Sequence, residues 1–331
     1  MQQRRIGAFT VSSIGLGCMN LSHAYGVPPA PEAAATLLQK ALDLGVTHFD
    51  TAALYGFGAN ETLVGQVLKP HRSRLMLASK CGMTGLDGKR VIDGRPQTLK
   101  RTCEESLTRL QTDVIDLYYL HRWDKHVPIE DSVGALADLV RQGKIRAIGL
   151  SEVSATTLRR AHATYPITSV QTEYSLWTRN PEIAVMDTCR ELGIALVAFS
   201  PLGRGFLTGK LSDVASLSAT DIRRAMPRFQ EDNFDHNLAL LEGFASAARE
   251  ANCSMAQLAL AWLLARAPNI VPIPGTTRLA HLEENMAADS IRLTPTMVTR
   301  HDALINQHTV TGTRYNAATQ QEIDTEEFVS L

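Results

Sequence analysis

The stretch IDLYYLHRWDKHVPIEDSVGALADLVRQGKIRAIGL, residues 115–150, holds the repeating unit of the fold. Ile115–His121 is a short, largely apolar run that reads as a buried strand. Ile129–Arg141 carries apolar residues at helical spacing, and Ile145–Leu150 reads as a second strand. Gly143 stands between that helix and the second strand, where a left-handed residue ends a helix. A strand, a helix and a strand in this order imply parallel strands joined by a crossover.

The same rhythm runs outward in both directions. Candidate strands are Ile14–Cys18, Thr47–Asp50, Leu75–Ser79, Ser169–Thr172, Ala195–Phe199 and Ile270–Ile273, which with the two above make eight. Candidate helices are Ala33–Leu44, Glu61–Leu68, Gln97–Leu110, Ala155–Ala163, Pro181–Leu192, one long segment Asn237–Arg266 and a last one near Arg278, with Gly45 and Gly193 as further stops. Eight units predict an α/β fold, a single-domain (β/α)8 TIM barrel over residues 1–331, whose site forms at the C-terminal ends of the strands. A doubly wound sheet is the competing architecture. It calls for an early G-x-G-x-x-G loop, and Gly15-Leu16-Gly17 lacks the third glycine. Two stretches leave the rhythm: 212–235, long and polar, reads as a lid or an unstructured loop, and 305–331 forms a C-terminal tail.

Composition narrows the partners. Lysine plus arginine number 33 against 34 acidic residues, a net charge of -1, so no global field draws in nucleic acid or an anionic membrane. No apolar stretch approaches the roughly 18 residues of a membrane span, and Met1–Phe9 is not a signal segment, so a cytoplasmic location is the default. Five scattered cysteines without a C-x-x-C pair suggest neither a disulfide framework nor a metal site. Nothing sets the oligomeric state, and a homo-oligomer stays open.

Chemistry gathers at three adjacent strand ends. The second strand ends in Asp50 and leads to Tyr55, the third ends in Lys80, and the fourth ends in His121. An ion pair of Asp50 with Lys80 is the structural alternative, but it leaves Tyr55 and His121 without a purpose. Titratable groups gathered at the C-terminal ends of adjacent barrel strands read as catalytic.

Together Phe49-Asp50-Thr51-Ala52 with Tyr55, Lys80 and Tyr119-Leu120-His121 resemble the catalytic signatures of the aldo-keto reductase superfamily. The likeness runs through Gly149–Ser154, Gln171–Trp177, Phe199–Gly205 and Pro274–Asn285. Ser151-Glu152-Val153-Ser154 and Glu173–Trp177 are similar to the branch with perakine-reductase-like and auxin-induced-like proteins. The resemblance implies an NADPH-dependent reductase acting on small-molecule aldehydes or ketones. Carbonyl reduction needs a hydride at carbon and a proton at oxygen, for which Tyr55 would be the general acid. An ordinary tyrosine, pKa ≈ 10, would have to be lowered toward neutrality by Lys80, with Asp50 orienting Lys80 and His121 donating to the developing oxyanion. Ser151 and Gln171 would then hold the nicotinamide carboxamide and Phe199 would stack on its ring. Ser200, Pro201, Leu202, Gly203 and Gly205 with Lys210 would follow the pyrophosphate. Gly17, Cys18, Met19, Asp50, His281, Glu284 and Asn285 would complete the contacts. Many superfamily members have asparagine where this chain has Glu152, which leaves the role of that residue open. Gly275, Thr276, Thr277 and Arg278 open a helix whose N-terminus favours a phosphate, and Arg278 offers a fork for a 2′-phosphate; Thr276 as a simple cap is the bland alternative.

Phe57 and Trp123 are candidates for the substrate pocket, as are Trp177 and Tyr315. Two other functions compete. A cofactor-binding sensor or regulatory subunit would keep the fold with little turnover. A barrel hydrolase or isomerase would use Asp50 with a second carboxylate.

Overall fold

The computed structural model describes residues 1–86 and 89–328. A hairpin, β1 (Gln3–Ile6) and β2 (Phe9–Ser12), precedes β3 (Leu16–Gly17), β4 (His48–Asp50) and β5 (Met76–Cys81). A second hairpin, β6 (Met83–Leu86) and β7 (Lys89–Ile92), then precedes β8 (Ile115–Leu120), β9 (Ile145–Ser151), β10 (Ile167–Glu173), β11 (Ala195–Phe199) and β12 (Ile270–Pro272). With the hairpins set aside, eight strands pair in parallel in chain order from β3 to β12. Gly15 N–H donates to the Pro272 carbonyl (3.0 Å) and Gly17 N–H to the Pro274 carbonyl (3.2 Å), so the last strand meets the first and the (β/α)8 ring closes. Prolines fit here because these residues only need to accept.

The helices are α1 (Pro31–Asp43), α2 (Ala59–Leu68), α3 (Pro96–Leu110), α4 (Ile129–Arg141), α5 (Ala155–Thr164), α6 (Val185–Leu192), α7 (Glu231–Glu250), α8 (Met255–Arg266), α9 (Leu279–Ala287), α10 (Pro295–Leu304) and α11 (Ala317–Gln320). Side chains alternate across a strand, and this divides the core in two. Outward residues such as Phe49, Leu77, Tyr118 and Leu120 pack with helix residues such as Leu38, Val64, Leu99 and Leu136. Inward residues Met76, Ala78, Leu117, Tyr119, Val197 and Val271 form a separate cluster, joined by Ile6 and Val11 of the first hairpin, which fills the N-terminal end of the barrel. One step further along, the same inward parity brings Asp50, Lys80, His121, Ser151, Gln171 and Phe199 to the opposite mouth.

The expected helix Asn237–Arg266 is two helices, and the first starts earlier, at Glu231. The break falls at Asn252, which takes a left-handed φ of 51°, followed by Ser254, whose hydroxyl and the Gln257 side chain form a reciprocal capping box. Within 212–235, two short 3-10 turns precede α7. Phe229 and Phe234 are buried, and the Phe229 ring packs edge-on to Trp177 at 5.2 Å.

Helices α2 and α3 approach backbone to backbone. A Cβ on Gly65 would lie 2.6 Å from the Arg109 carbonyl oxygen and the Leu110 backbone. Glycine to alanine inside an exposed helix normally stabilises by up to ~1 kcal/mol. At Gly65 the sign should reverse, with a loss of about 1–3 kcal/mol from overpacking. Urea unfolding of Gly65→Ala checks this, and a raised midpoint would show that α2 can move off α3 without penalty.

Candidate active site

A cavity of about 770 Å³ opens where the barrel strands end. Asp50 and His121 reach it from their strand ends, while Lys80 lies beneath Tyr55, wholly buried. Tyr55 is carried by a tight turn in which Gly56 and Phe57 have left-handed φ values of 56° and 52°. That turn is pinned by the buried Asn60, which accepts from the Thr51 hydroxyl (2.6 Å) and donates to the Cys18 carbonyl (2.8 Å).

The four residues meet. Lys80 Nζ donates to Asp50 Oδ1, to the Thr51 carbonyl (2.9 Å) and to the Tyr55 hydroxyl (3.2 Å). Gln171 Nε2 donates to the other Asp50 oxygen at 2.7 Å. The His121 and Tyr55 rings stand edge to face, 5.8 Å apart.

Protonation follows from burial. Burial disfavours the Lys80 cation, but the Asp50 carboxylate and the Tyr55 hydroxyl outweigh it and hold the ammonium above its ordinary range. Burial also pushes the Tyr55 hydroxyl up, and the opposing pull of Lys80 does not overcome it. The expected lowering of Tyr55 is therefore absent: Asp50 offsets the lysine charge while the dry surroundings penalise a phenolate. His121 is driven well below its usual value by burial and by Lys80, Arg122 and Arg90, so its ring is neutral.

The residues expected around a dinucleotide fall into three groups along one cavity. Gly17, Met19, Ser151, Gln171 and Phe199 line it beside the chemical group; Ser200, Pro201, Leu202, Gly205 and Lys210 form one flank; Gly275, Thr276, Thr277, Arg278, His281, Glu284 and Asn285 form the other. Cys18 and Gly203 do not reach it. The Cys18 thiol is buried against the Leu16 carbonyl (3.7 Å), and Gly203 has a left-handed φ of 56° and packs on the Trp177 ring.

Phe57 and Trp123 lie outside the cavity, contrary to the expectation of a substrate role. The left-handed turn throws the Phe57 side chain outward, where it is 54% exposed beside Gly85. Trp123 donates to the Val127 carbonyl (2.9 Å) and carries Arg160 on its face. Trp177 is buried in the aromatic cluster, whereas Tyr315 does line the cavity.

Several residues escaped the sequence reading. His23, Arg90 and Arg122 line the cavity near Tyr55, and Ile222, Arg223 and Met226 bring part of 212–235 to its rim. Glu152 turns away from the cavity. Its carboxylate pairs with Arg314 of the C-terminal tail and accepts from Thr172 Oγ1 (3.0 Å) and the Glu173 N–H (2.9 Å). Glu173 in turn accepts from Arg204 (2.6 Å), which also donates to the Tyr315 hydroxyl (3.0 Å). The helix cap nearby is Ser154, which accepts from Thr157 N–H and donates to Asp324 (2.8 Å). Asparagine at 152 could not serve this buried guanidinium as a counter-charge, which accounts for the departure at that position.

Comparison with known proteins agrees with this fold. The model of the Aldo/keto reductase family matches residues 13–306. Aldo-keto reductase yakc [NADP(+)] of Schizosaccharomyces pombe is 44% identical over 319 residues, covering 94% of each chain. "Probable aldo-keto reductase 1" of Glycine max is 45% identical over 287 residues, 86% of this chain and 83% of that one. Among solved structures, a glycerol dehydrogenase from Gluconobacter oxydans superposes with TM-score 0.85 at 27% identity, covering 95% of this chain and 98% of that one. An aldo/keto reductase from Klebsiella pneumoniae in complex with NADP and acetate gives 0.72 at 26% identity, covering 97% and 98%. With a family match across nearly its whole length and two relatives above 40% identity, the chain belongs to the aldo/keto reductase family.

Proposed function

We propose that the protein reduces aldehydes or ketones to alcohols with NADPH, using Tyr55 as the general acid. The observation that carries this reading is Lys80 Nζ, set between the Asp50 carboxylate and the Tyr55 hydroxyl in a buried pocket beside a neutral histidine.

The cavity suits a dinucleotide on three counts. Gly17 and Gly275 let the walls approach closely: a Cβ on Gly17 would lie 2.8 Å from the Ile273 carbonyl oxygen, and one on Gly275 2.7 Å from Asn20 Oδ1. Helix α9 starts at the rim with no side chain capping it, so its first N–H groups are free for a phosphate. Thr276 Oγ1 is engaged with Arg278 N–H (3.1 Å), one step before the helix. Arg278 makes no ion pair among the described residues, and Lys210 has only a distant one, 3.8 Å from Glu284. Phe199 and Ser151 would receive the nicotinamide end, and the loop from Ser200 to Gly205 the pyrophosphate; of these residues all but Gly203 line the cavity. The NADP in the names of the yakc protein and the Klebsiella complex supports the same choice.

When bound, the cofactor supplies the hydride that the carbonyl carbon receives. Tyr55, protonated at neutral pH, gives its proton to the carbonyl oxygen, and its phenolate is then met by the Lys80 cation. Asp50 keeps Lys80 charged and aimed. The neutral His121 donates to the same oxygen as its charge develops. Consumption of NADPH absorbance with 4-nitrobenzaldehyde tests the reading, and tight NADPH binding with no turnover of any carbonyl would favour a sensor instead.

Cofactor choice rests on Arg278. No acidic residue occurs among Thr276, Thr277, Arg278 and His281 to take a ribose 2′-hydroxyl. Arg278→Ala should weaken NADPH by roughly tenfold, near the low end of a charge-assisted bond of ~1.5–3 kcal/mol because the rim is solvated. NADH should lose far less, and the difference should shrink with salt. Equal losses of the two dissociation constants would assign Arg278 to support of α9.

A further inference from the structure

One cation at the chemical end of the cavity has no anionic partner among the described residues. Arg122 follows His121 directly and lines the cavity. Its Nη1 donates to the His121 carbonyl (2.7 Å) and the Ser151 hydroxyl (3.2 Å), both neutral acceptors. Its Nε is buried with no hydrogen-bond partner.

The other cations nearby are matched: Lys80 by Asp50, Arg90 by Glu322, Arg204 by Glu173 and Arg314 by Glu152. Among the described residues, Arg122 forms no ion pair. A guanidinium with a buried, unused donor and no counter-charge is an unfavourable arrangement unless something else supplies the anion. The group that best satisfies a planar fork is a carboxylate, which can accept two parallel N–H bonds. The charges of Arg122 and Arg90 both act on His121. Leu54 and Met83, packed with Tyr55 in a small apolar cluster, give the cavity an apolar wall on this side.

We propose that Arg122 is a specificity-determining residue that binds a carboxylate carried by the carbonyl substrate, while Tyr55 and His121 hold the carbonyl oxygen. The proposal rests on the reductase reading above and names the class of substrate that this end of the cavity takes: oxo acids and aldehydes bearing a carboxylate.

The test compares 4-carboxybenzaldehyde with 4-nitrobenzaldehyde, whose nitro group has nearly the shape of a carboxylate without net charge. Intrinsic reactivity cancels when the ratio of the two kcat/KM values is compared between proteins. In Arg122→Leu the carboxy-to-nitro ratio should fall roughly ten- to hundredfold, the size of a lost charge-assisted pair. Raising the ionic strength should lower the ratio in the parent more than in the variant. Arg122→Gln, which keeps a donor for His121 and Ser151 but not the charge, should show the same fall and serves if the leucine variant folds poorly. An unchanged ratio in both variants, whatever the common loss of rate, overturns the proposal and assigns Arg122 to holding His121 and Ser151 in place.

A second arm does not depend on turnover. Calorimetry on the protein saturated with NADP should show benzoate binding more tightly than benzamide, with the preference lost in Arg122→Gln. Equal binding of the two by the parent also overturns the proposal. A parent that reduces neither aldehyde would strike the reductase reading, and the benzoate comparison then still decides the role of Arg122.

Discussion

Tyr55→Phe should lower kcat/KM for aldehyde reduction by roughly 10²–10⁴-fold, the usual contribution of a positioned general acid. The NADPH dissociation constant should stay within about threefold, because a lost proton donor affects the reaction and not ground-state binding. The argument lies in the hydroxyl's surroundings. Burial keeps it protonated at neutral pH, and Lys80 Nζ at 3.2 Å stands ready to meet the phenolate left behind. Phenylalanine keeps the ring packing against His121 and removes only the hydroxyl, with the bond it accepts from Lys80. Steady-state kinetics with a fluorescence titration of NADPH provide both readings, and activity above a tenth of the parent would remove Tyr55 from the role.

Lys80→Met should be as inactive, and it should also destabilise the fold. The Lys80 ammonium is wholly buried and is the cation paired with Asp50. Without it the Asp50 carboxylate retains the Gln171 amide (2.7 Å) but no counter-charge. Removing one partner of a buried pair typically destabilises by about 3–5 kcal/mol. The Tyr55 hydroxyl should rise further, since burial persists and the opposing cation is gone. Asp50→Asn combined with Lys80→Met separates the two effects: neutralising both partners should recover much of the stability and none of the activity. Recovery of activity with stability would mean that Lys80 only holds Asp50 in place.

The barrel and its chemical group were legible because both depend on local pattern. The spacings 76, 78, 80 and 117, 119, 121 each carry two apolar residues inward and then a polar one, so strand parity alone aims Lys80 and His121 at one mouth. The split between α7 and α8 was also spelled out, in Ser254 and Gln257 of the capping box, but a long apolar periodicity on either side obscured it. The first hairpin was missed because Gln3–Ile6 and Phe9–Ser12 have four residues each, too few for alternation to register. Phe57 stands only two positions after Tyr55, but the left-handed backbone of Gly56 and of Phe57 itself turns its side chain away from the cavity. Arg314 with Glu152 lay beyond any local reading: 162 residues separate them, and neither composition nor spacing links a charge to so distant a partner.

The tail's place in the wall bears on how the protein is made. Synthesis runs from the N-terminus, and a chain begins to collapse before it is complete. Glu152 and Glu173 are in the nascent chain long before Arg314 exists, and the Ser154 cap waits still longer for Asp324. Until residue 314 has been made, Glu152 has no guanidinium and Glu173 has only Arg204, so the Glu152 carboxylate stays hydrated. That part of the wall therefore matures only after Arg314 has been made. A premature stop codon a few residues before Arg314 would remove the counter-ions of a buried network, not an idle extension.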